Sequence, residues 1–326
     1  MMRSGTTDGH GVRRWSAVQL FLMICVALAP LLLMTPQAVQ AATFTVNSSA
    51  DPGDGTCDGT ECTLREAITA ANATAGADTI TFAIPGAGPH EIVLAGGLPA
   101  VSETLTIDGL TQAGASCATW PPTLLIELNG TNVVADDVLD FGFSAAGSTV
   151  RGLVINRAFN AIQLANSSNN VIECNFLGTS VDGNTALGNA LAGVYIQQDS
   201  NNNRIGGPNA SQRNLIAGNG DEQISINNFG STPDNNLIEN NYIGTNAAGS
   251  AGLGGGVFGG IYLFGNVDTT IRNNLIAGNT SNGISVTGDA TRNSTGTLIQ
   301  GNRIGTAIGG TSAVANAGGI ALGAFG

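Results

Sequence analysis

From Thr149 onward, apolar and polar positions alternate in short phrases, and the phrases recur. The clearest copy is IRNNLIAGN (271–279) followed by GISV (283–286). IENNYIGTN (238–246) with GIYL (260–263), IECNFLGTS (172–180) with GVYI (193–196) and IQGNRIGTA (299–307) with GIAL (319–322) repeat it. RNLIAGN (213–219) with QISI (223–226), and LVIN (153–156) with NAIQL (160–164), complete a series of six. Each copy alternates with period two and is broken by Asn and Gly, which is strand–turn–strand chemistry without helical spacing. The copies recur at intervals of roughly 22 to 35 residues, the length of one coil of three short strands and their turns. The pattern predicts a solenoid of the parallel β-helix type; the Leu-x-x-Leu-x-Leu phrase of the competing leucine-rich solenoid is absent.

In such a solenoid each strand pairs with its counterpart in the coils above and below, so apolar positions become interior columns. Ile172, Ile238, Ile271 and Ile299 form one expected column. Leu177, Ile216, Ile243, Ile276 and Ile304 form a second, and Val194, Ile224, Ile261, Ile284 and Ile320 a third. The same alignment stacks Asn175, Asn214, Asn241, Asn274 and Asn302. An Asn repeated at a turn can pass its amide from coil to coil, so these five are expected to be a structural ladder. Copy six stops at Gly326, just after its Gly-Ile-x-Leu strand. This predicts an open last coil that a further copy or another chain would complete, with end-to-end self-association as one outcome.

Ahead of the array, Thr63–Asn72 reads as an amphipathic helix. Thr63 and Glu66 make a capping box, and Leu64, Ala67, Ile68 and Ala71 share a face. Such a helix would cover the exposed end of the first coil. Residues 1–41 read as a signal peptide: Arg3, Arg13 and Arg14, then an apolar run from Trp15 to Met34, then Val39-Gln40-Ala41 at the cleavage site. Losing Arg3, Arg13, Arg14 and Asp8 with that leader takes the formal charge from −12 to about −14. The remaining surface would repel nucleic acid and anionic lipid. No second apolar span follows, so the mature chain is not expected to be integral to a membrane. Export makes a disulfide the expected state of Cys57 and Cys62, five residues apart in a Gly/Asp-rich loop. Cys117 and Cys174 are the other candidate pair, Cys174 lying at a turn position from which it can reach outward.

ATFTVNSSADPGDGTCDGTECTLREAITAANATAGADTITF (42–82) resembles the CSLREA domain, whose Cys-x-Leu-Arg-Glu-Ala core stands here as CTLREA from Cys62 to Ala67, with Thr63 where Ser is usual. The segment after it, first coils over 83–148 and the array over 149–326, resembles the right-handed parallel β-helix repeat family. The resemblance implies an all-β, right-handed parallel β-helix with an N-terminal capping module, in an exported bacterial protein at the cell surface or outside the cell. It does not supply an activity, since that repeat family holds lyases, hydrolases and adhesins alike.

Catalysis on such a scaffold would need carboxylates, a base or calcium gathered on one face. Asp136, Asp137 and Asp140 are the densest acidic group and the candidate catalytic residues; paired carboxylates suit glycoside hydrolysis. Asp136-Asp137 also reads as a polar turn, with Asp140 pointing outward from the strand VLDFGF (138–143). His90 lies in an ordinary loop, and neither a Gly-x-Ser-x-Gly nor a zinc phrase occurs. Alternate copies carry longer loops after Gly-Thr, at 180–189, 246–255 and 307–317, expected to project as a row, and rows of this kind are common binding faces. Asp182 and Asn184 are candidate calcium ligands in the first; the later loops have no Asp, so no cofactor is expected. Tyr195 and Tyr262, at equivalent outward positions, are the candidate ligand-binding residues. These readings favour a non-catalytic protein that binds glycans or cell-surface components through its loops. A polysaccharide lyase or glycoside hydrolase is the first alternative, and a structural spacer the second.

Overall fold

The structure is a computed structural model that describes residues 40–324 together with Met1 and Gly5. The expected signal peptide therefore lies almost wholly outside the described residues. Three parallel sheets of nine, eight and seven strands run side by side, and the chain visits them in turn, so that each strand pairs with its counterpart one coil away. This is a parallel β-helix. Among the described residues no helix is long and apolar enough to cross a membrane.

The interior columns follow the alternation. On the first sheet Val150, Ile172, Ile205, Ile238, Ile271 and Ile299 stand in register. Ile205, which the phrase alignment left out, fills the gap between Ile172 and Ile238. The second column (Leu177, Ile216, Ile243, Ile276, Ile304) and the third (Val194, Ile224, Ile261, Ile284, Ile320) have no gap. Most of these side chains are wholly buried in one continuous core. In the last described coil Ile320 is 48 % and Leu322 75 % exposed.

At the other end the helix Leu64–Asn72 lies against the strands Thr43–Val46 and Asp78–Phe82. Thr63 Oγ1 accepts from Glu66 N at 3.3 Å and Glu66 Oε2 accepts from Thr63 N at 2.8 Å, closing the capping box. Leu64, Ala67, Ile68 and Ala71 enter the core. Arg65 ties the outer side down: its guanidinium pairs with Asp51 at 2.7 Å and donates to the carbonyls of Gly96 and Gly97. Cys57 and Cys62 are bridged nearby, with Cα atoms 4.1 Å apart.

Polar ladders run along the corners. Asn175 N donates to Asn214 Oδ1 at 2.9 Å, Asn214 N to Asn241 Oδ1 at 3.2 Å, Asn241 N to Asn274 Oδ1 at 2.9 Å and Asn274 N to Asn302 Oδ1 at 2.9 Å. Each Nδ2 in turn reaches a carbonyl of the coil before, so a buried amide meets its donors and acceptors within the stack. The other two corners carry ladders that no repeated phrase announces. One is Asn170–Asn203–Asn236. The second runs Asn189–Asn219 and ends on Gln223 Oε1, then restarts as Asn279–Asn316.

Candidate functional site

The long loops over 180–189, 246–255 and 307–317 do form a row, with Ala247 N donating to Gly183 O at 2.9 Å and Ile308 N to Gly249 O at 2.8 Å. They lie over the outer side of the second sheet, with Gly183 and Ala247 buried and residues such as Asn184 and Ser250 exposed. The physical reason is in the strands beneath. Phe176, Leu215, Tyr242 and Leu275 point outward there and are apolar, so these strands need cover on both faces. Gly183 (φ 68°) and Gly249 (φ 63°) permit the close approach: a Cβ on either would come within 3 Å of the Phe176 or Tyr242 ring. Asp182 is used inside its own turn, its Oδ1 accepting from Ser180 Oγ and from Asn184 N. Asn184 turns its amide nitrogen back to the Asp182 carbonyl at 3.1 Å. The two residues thus close an Asx-type turn.

The segment after Asp108 covers the rest of this face. Trp120 stacks edge-on to Phe176 and Tyr242, and the Arg213 guanidinium lies 5.0 Å from the Trp120 ring centre and 4.4 Å from that of Tyr242. Cys117 is bridged to Cys174, whose φ of 54° places it at the outward corner of its coil.

The third sheet has an open outer face. Its strands include Leu139–Phe141, Ile162–Ala165, Ala192–Gln197, Glu222–Asn227 and Gly259–Phe264. Because alternate residues face outward, Asp140, Gln163, Tyr195, Ser225 and Tyr262 make one outward column in register. Tyr195 and Tyr262 are thus on one face, two strands apart with Ser225 between them, as half-buried side chains. Gln163 links the column, donating from Nε2 to Asp140 Oδ1 at 3.2 Å and accepting from Gln197 Nε2 at 3.0 Å. Along the edge where the chain enters this sheet, Phe159, Leu191, Asp221 and Phe258 stack through backbone hydrogen bonds of 2.8 to 3.0 Å. Three strongly exposed phenylalanines also adjoin the sheet: Phe258 precedes one of its strands, and Phe143 and Phe229 follow two others.

Between these columns lies a cleft of about 310 Å³. Asp136 and Asp137 enter it from the turn before Leu139, Asn160 and Gln163 from the next coil, Tyr195 from the one after, and Asp221, Glu222 and Asn227 from the fourth. Asp137 is positioned by Asn160, whose Nδ2 donates to Asp137 Oδ1 at 2.8 Å while its Oδ1 accepts from Ala192 N at 2.8 Å. Burial pushes the Asp137 carboxyl up to about 6, against the Asn160 hydrogen bond and helped by the negative charges of Asp140 and Asp136. Burial likewise pushes Glu222 up to about 7, reinforced by Asp221. Asp140 and the Tyr195 hydroxyl are also raised by burial. The candidate catalytic trio therefore divides: Asp136 and Asp137 line the cleft, and Asp140 sits on the adjoining column. No repeated phrase flags Asp221 or Glu222, because the aligned copies place Ala192 and Gly259 opposite Glu222.

A second acidic group lies in the N-terminal module, where oxygens of Asp54, Glu61 and Glu66 come within 4.8 Å of one another. Glu66 is committed to the backbone N–H groups of Gly55 and Thr63, and Glu61 accepts from Ser48 Oγ. These are the residues that would hold a hard cation if one bound there. Compared with known protein families and with curated proteins, the chain finds no match.

Proposed function

We propose that this chain is an exported β-helix that binds glycan along the outer face of its third sheet, seating a sugar in the acidic cleft. The single observation that carries the reading is the lining of that cleft. Carboxylates, amides and a tyrosine from four successive coils meet in a volume at the lower end of the range for small-molecule sites, roughly 300–1,000 Å³. Sugars present ring hydroxyls to polar groups and a C–H face to aromatic rings, and the exposed Phe143, Phe229 and Phe258 lie just beyond the ends of strands of this sheet. Export is supported by the two disulfides and by the resemblance of residues 42–82 to the CSLREA module. A glycan-array screen tests the reading. The expected result is binding to a defined set of oligosaccharides that Tyr195→Ala and Tyr262→Ala both weaken; no glycan bound, or binding indifferent to both changes, overturns it.

Hydrolysis of the bound glycan is a second reading, favoured by Asp137 and Glu222. Each lines the cleft and each is raised toward neutrality, as a proton-donating carboxyl must be. It predicts slow release of reducing ends that Glu222→Gln abolishes. Unchanged release by that variant would remove Glu222 from the chemistry.

A further inference from the structure

Elsewhere on the outer faces of the sheets, acidic side chains are matched to arginines. Asp108 pairs with Arg151 at 2.7 Å, Glu173 with Arg204 at 3.0 Å and Glu239 with Arg272 at 2.7 Å. Glu127 pairs with Arg157 at 3.4 Å. The cleft of the third sheet breaks this rule. Asp136, Asp137, Asp221 and Glu222 line it, and no Arg or His does. Glu222 is only 9 % exposed, yet no described residue donates a hydrogen bond to its carboxylate. Asn227 Oδ1, on the same wall, is buried and also without a donor. A buried acceptor left unpaired is costly, and the Asn227 oxygen is one; the Glu222 carboxylate meets the solvent of the cleft with no counter-charge on its lining. The cleft is therefore short of donors and of positive charge, and a ligand that brings both removes the deficit.

We infer that the sugar seated here is an amino sugar with a free ammonium group, its ammonium placed against Glu222 and the adjacent Asp221. This rests on the glycan reading above and narrows its substrate class. A bare divalent cation fits less well, because six to eight oxygens must close to about 2.3–2.6 Å around calcium. Among the described residues the trio of acids with oxygens within 4.8 Å is Asp54, Glu61 and Glu66, outside this cleft. An ammonium on a sugar ring spans a wider cleft and carries hydroxyls to Asn227 and Tyr195. The same charge pattern disfavours the uronic-acid polymers, whose carboxylates would face four others.

Calorimetric titration of the folded chain with short β-1,4-linked oligomers of glucosamine, N-acetylglucosamine and glucose tests the inference. The glucosamine oligomer is expected to bind at least about tenfold tighter than the other two, and Glu222→Gln to cut its affinity by about tenfold. Equal affinity for all three overturns the ammonium seat and leaves the glycan reading standing. No binding to any of these, together with an empty glycan array, removes both. A lysine oligomer that binds as tightly as the glucosamine oligomer overturns the sugar in favour of a basic peptide. A preference that vanishes with a calcium chelator overturns it in favour of a metal.

Discussion

Trp120 Nε1 donates to the carbonyl oxygen of Ala247 at 2.8 Å, joining positions 127 residues apart. A solenoid gains most of its contacts between neighbouring coils, so a side chain that spans several coils couples parts that would otherwise fray separately. The Trp120 ring also supports Phe176, Tyr242 and Arg213. Trp120→Ala is expected to lower stability by about 1–3 kcal/mol, measured by urea unfolding. Glycan binding at native conditions should stay at the parent level, because the third sheet is a different face.

The Cys117–Cys174 bridge fastens that same segment and closes a loop with a sequence separation of 57. Removing it by Cys117→Ala with Cys174→Ala is expected to cost about 2–5 kcal/mol. Mass spectrometry of the secreted protein, alkylated without reduction, should find none of Cys57, Cys62, Cys117 and Cys174 labelled. Labelling at both members of either pair refutes that bridge.

Asn241 accepts from Asn214 N and Nδ2 and donates to Asn274 Oδ1. Asn241→Ala leaves buried partners on both sides and should destabilise by about 1–3 kcal/mol. Hydrogen exchange should show the loss centred on residues 214 and 274 rather than spread along the array.

Much of this architecture can be read from the chain. Period-two alternation and a repeated Ile predict strands, columns and register, and one Asn ladder follows because Asn175 to Asn302 sit at a fixed offset from a repeated Ile. The Asn170–Asn203–Asn236 ladder is hidden in runs such as SSNN and SNNN, where adjacent Asn residues give no unique alignment. That the loops lie over the second sheet is hidden for a related reason. Pairs such as Phe176-Leu177 and Leu275-Ile276 are apolar at both positions, the mark of a strand covered on both sides, but two residues are too few to establish it. The cleft was the least legible feature. Asp137 and Glu222 are far apart in the chain and lie on different coils, and neither belongs to a repeated phrase. Only the stacking of coils brings them to one wall.

The raised carboxyls set the pH dependence of stability. The groups facing Asp137 and Glu222 from the surrounding elements are Asp136, Asp140, Asp221 and Tyr195, all acidic. Between the ordinary carboxyl range and about 7 the folded chain holds protons at Asp137 and Glu222 that the unfolded chain has lost. Stability must therefore fall as pH rises through that window. From about pH 5 to about pH 8 the expected loss is about 1 kcal/mol for Asp137 and about 2–3 kcal/mol for Glu222. Asp137→Asn with Glu222→Gln should flatten the fall in thermal unfolding; an unchanged slope would show that these groups titrate normally.

The measurement that bears most directly on the central claim is hydrogen–deuterium exchange with and without a bound oligosaccharide from the array. Binding in the third-sheet cleft predicts new protection in 191–197 and 221–227, with the loops at 180–189 and 246–255 unchanged. Protection confined to those loops, with none at Tyr195 or Glu222, would contradict the account.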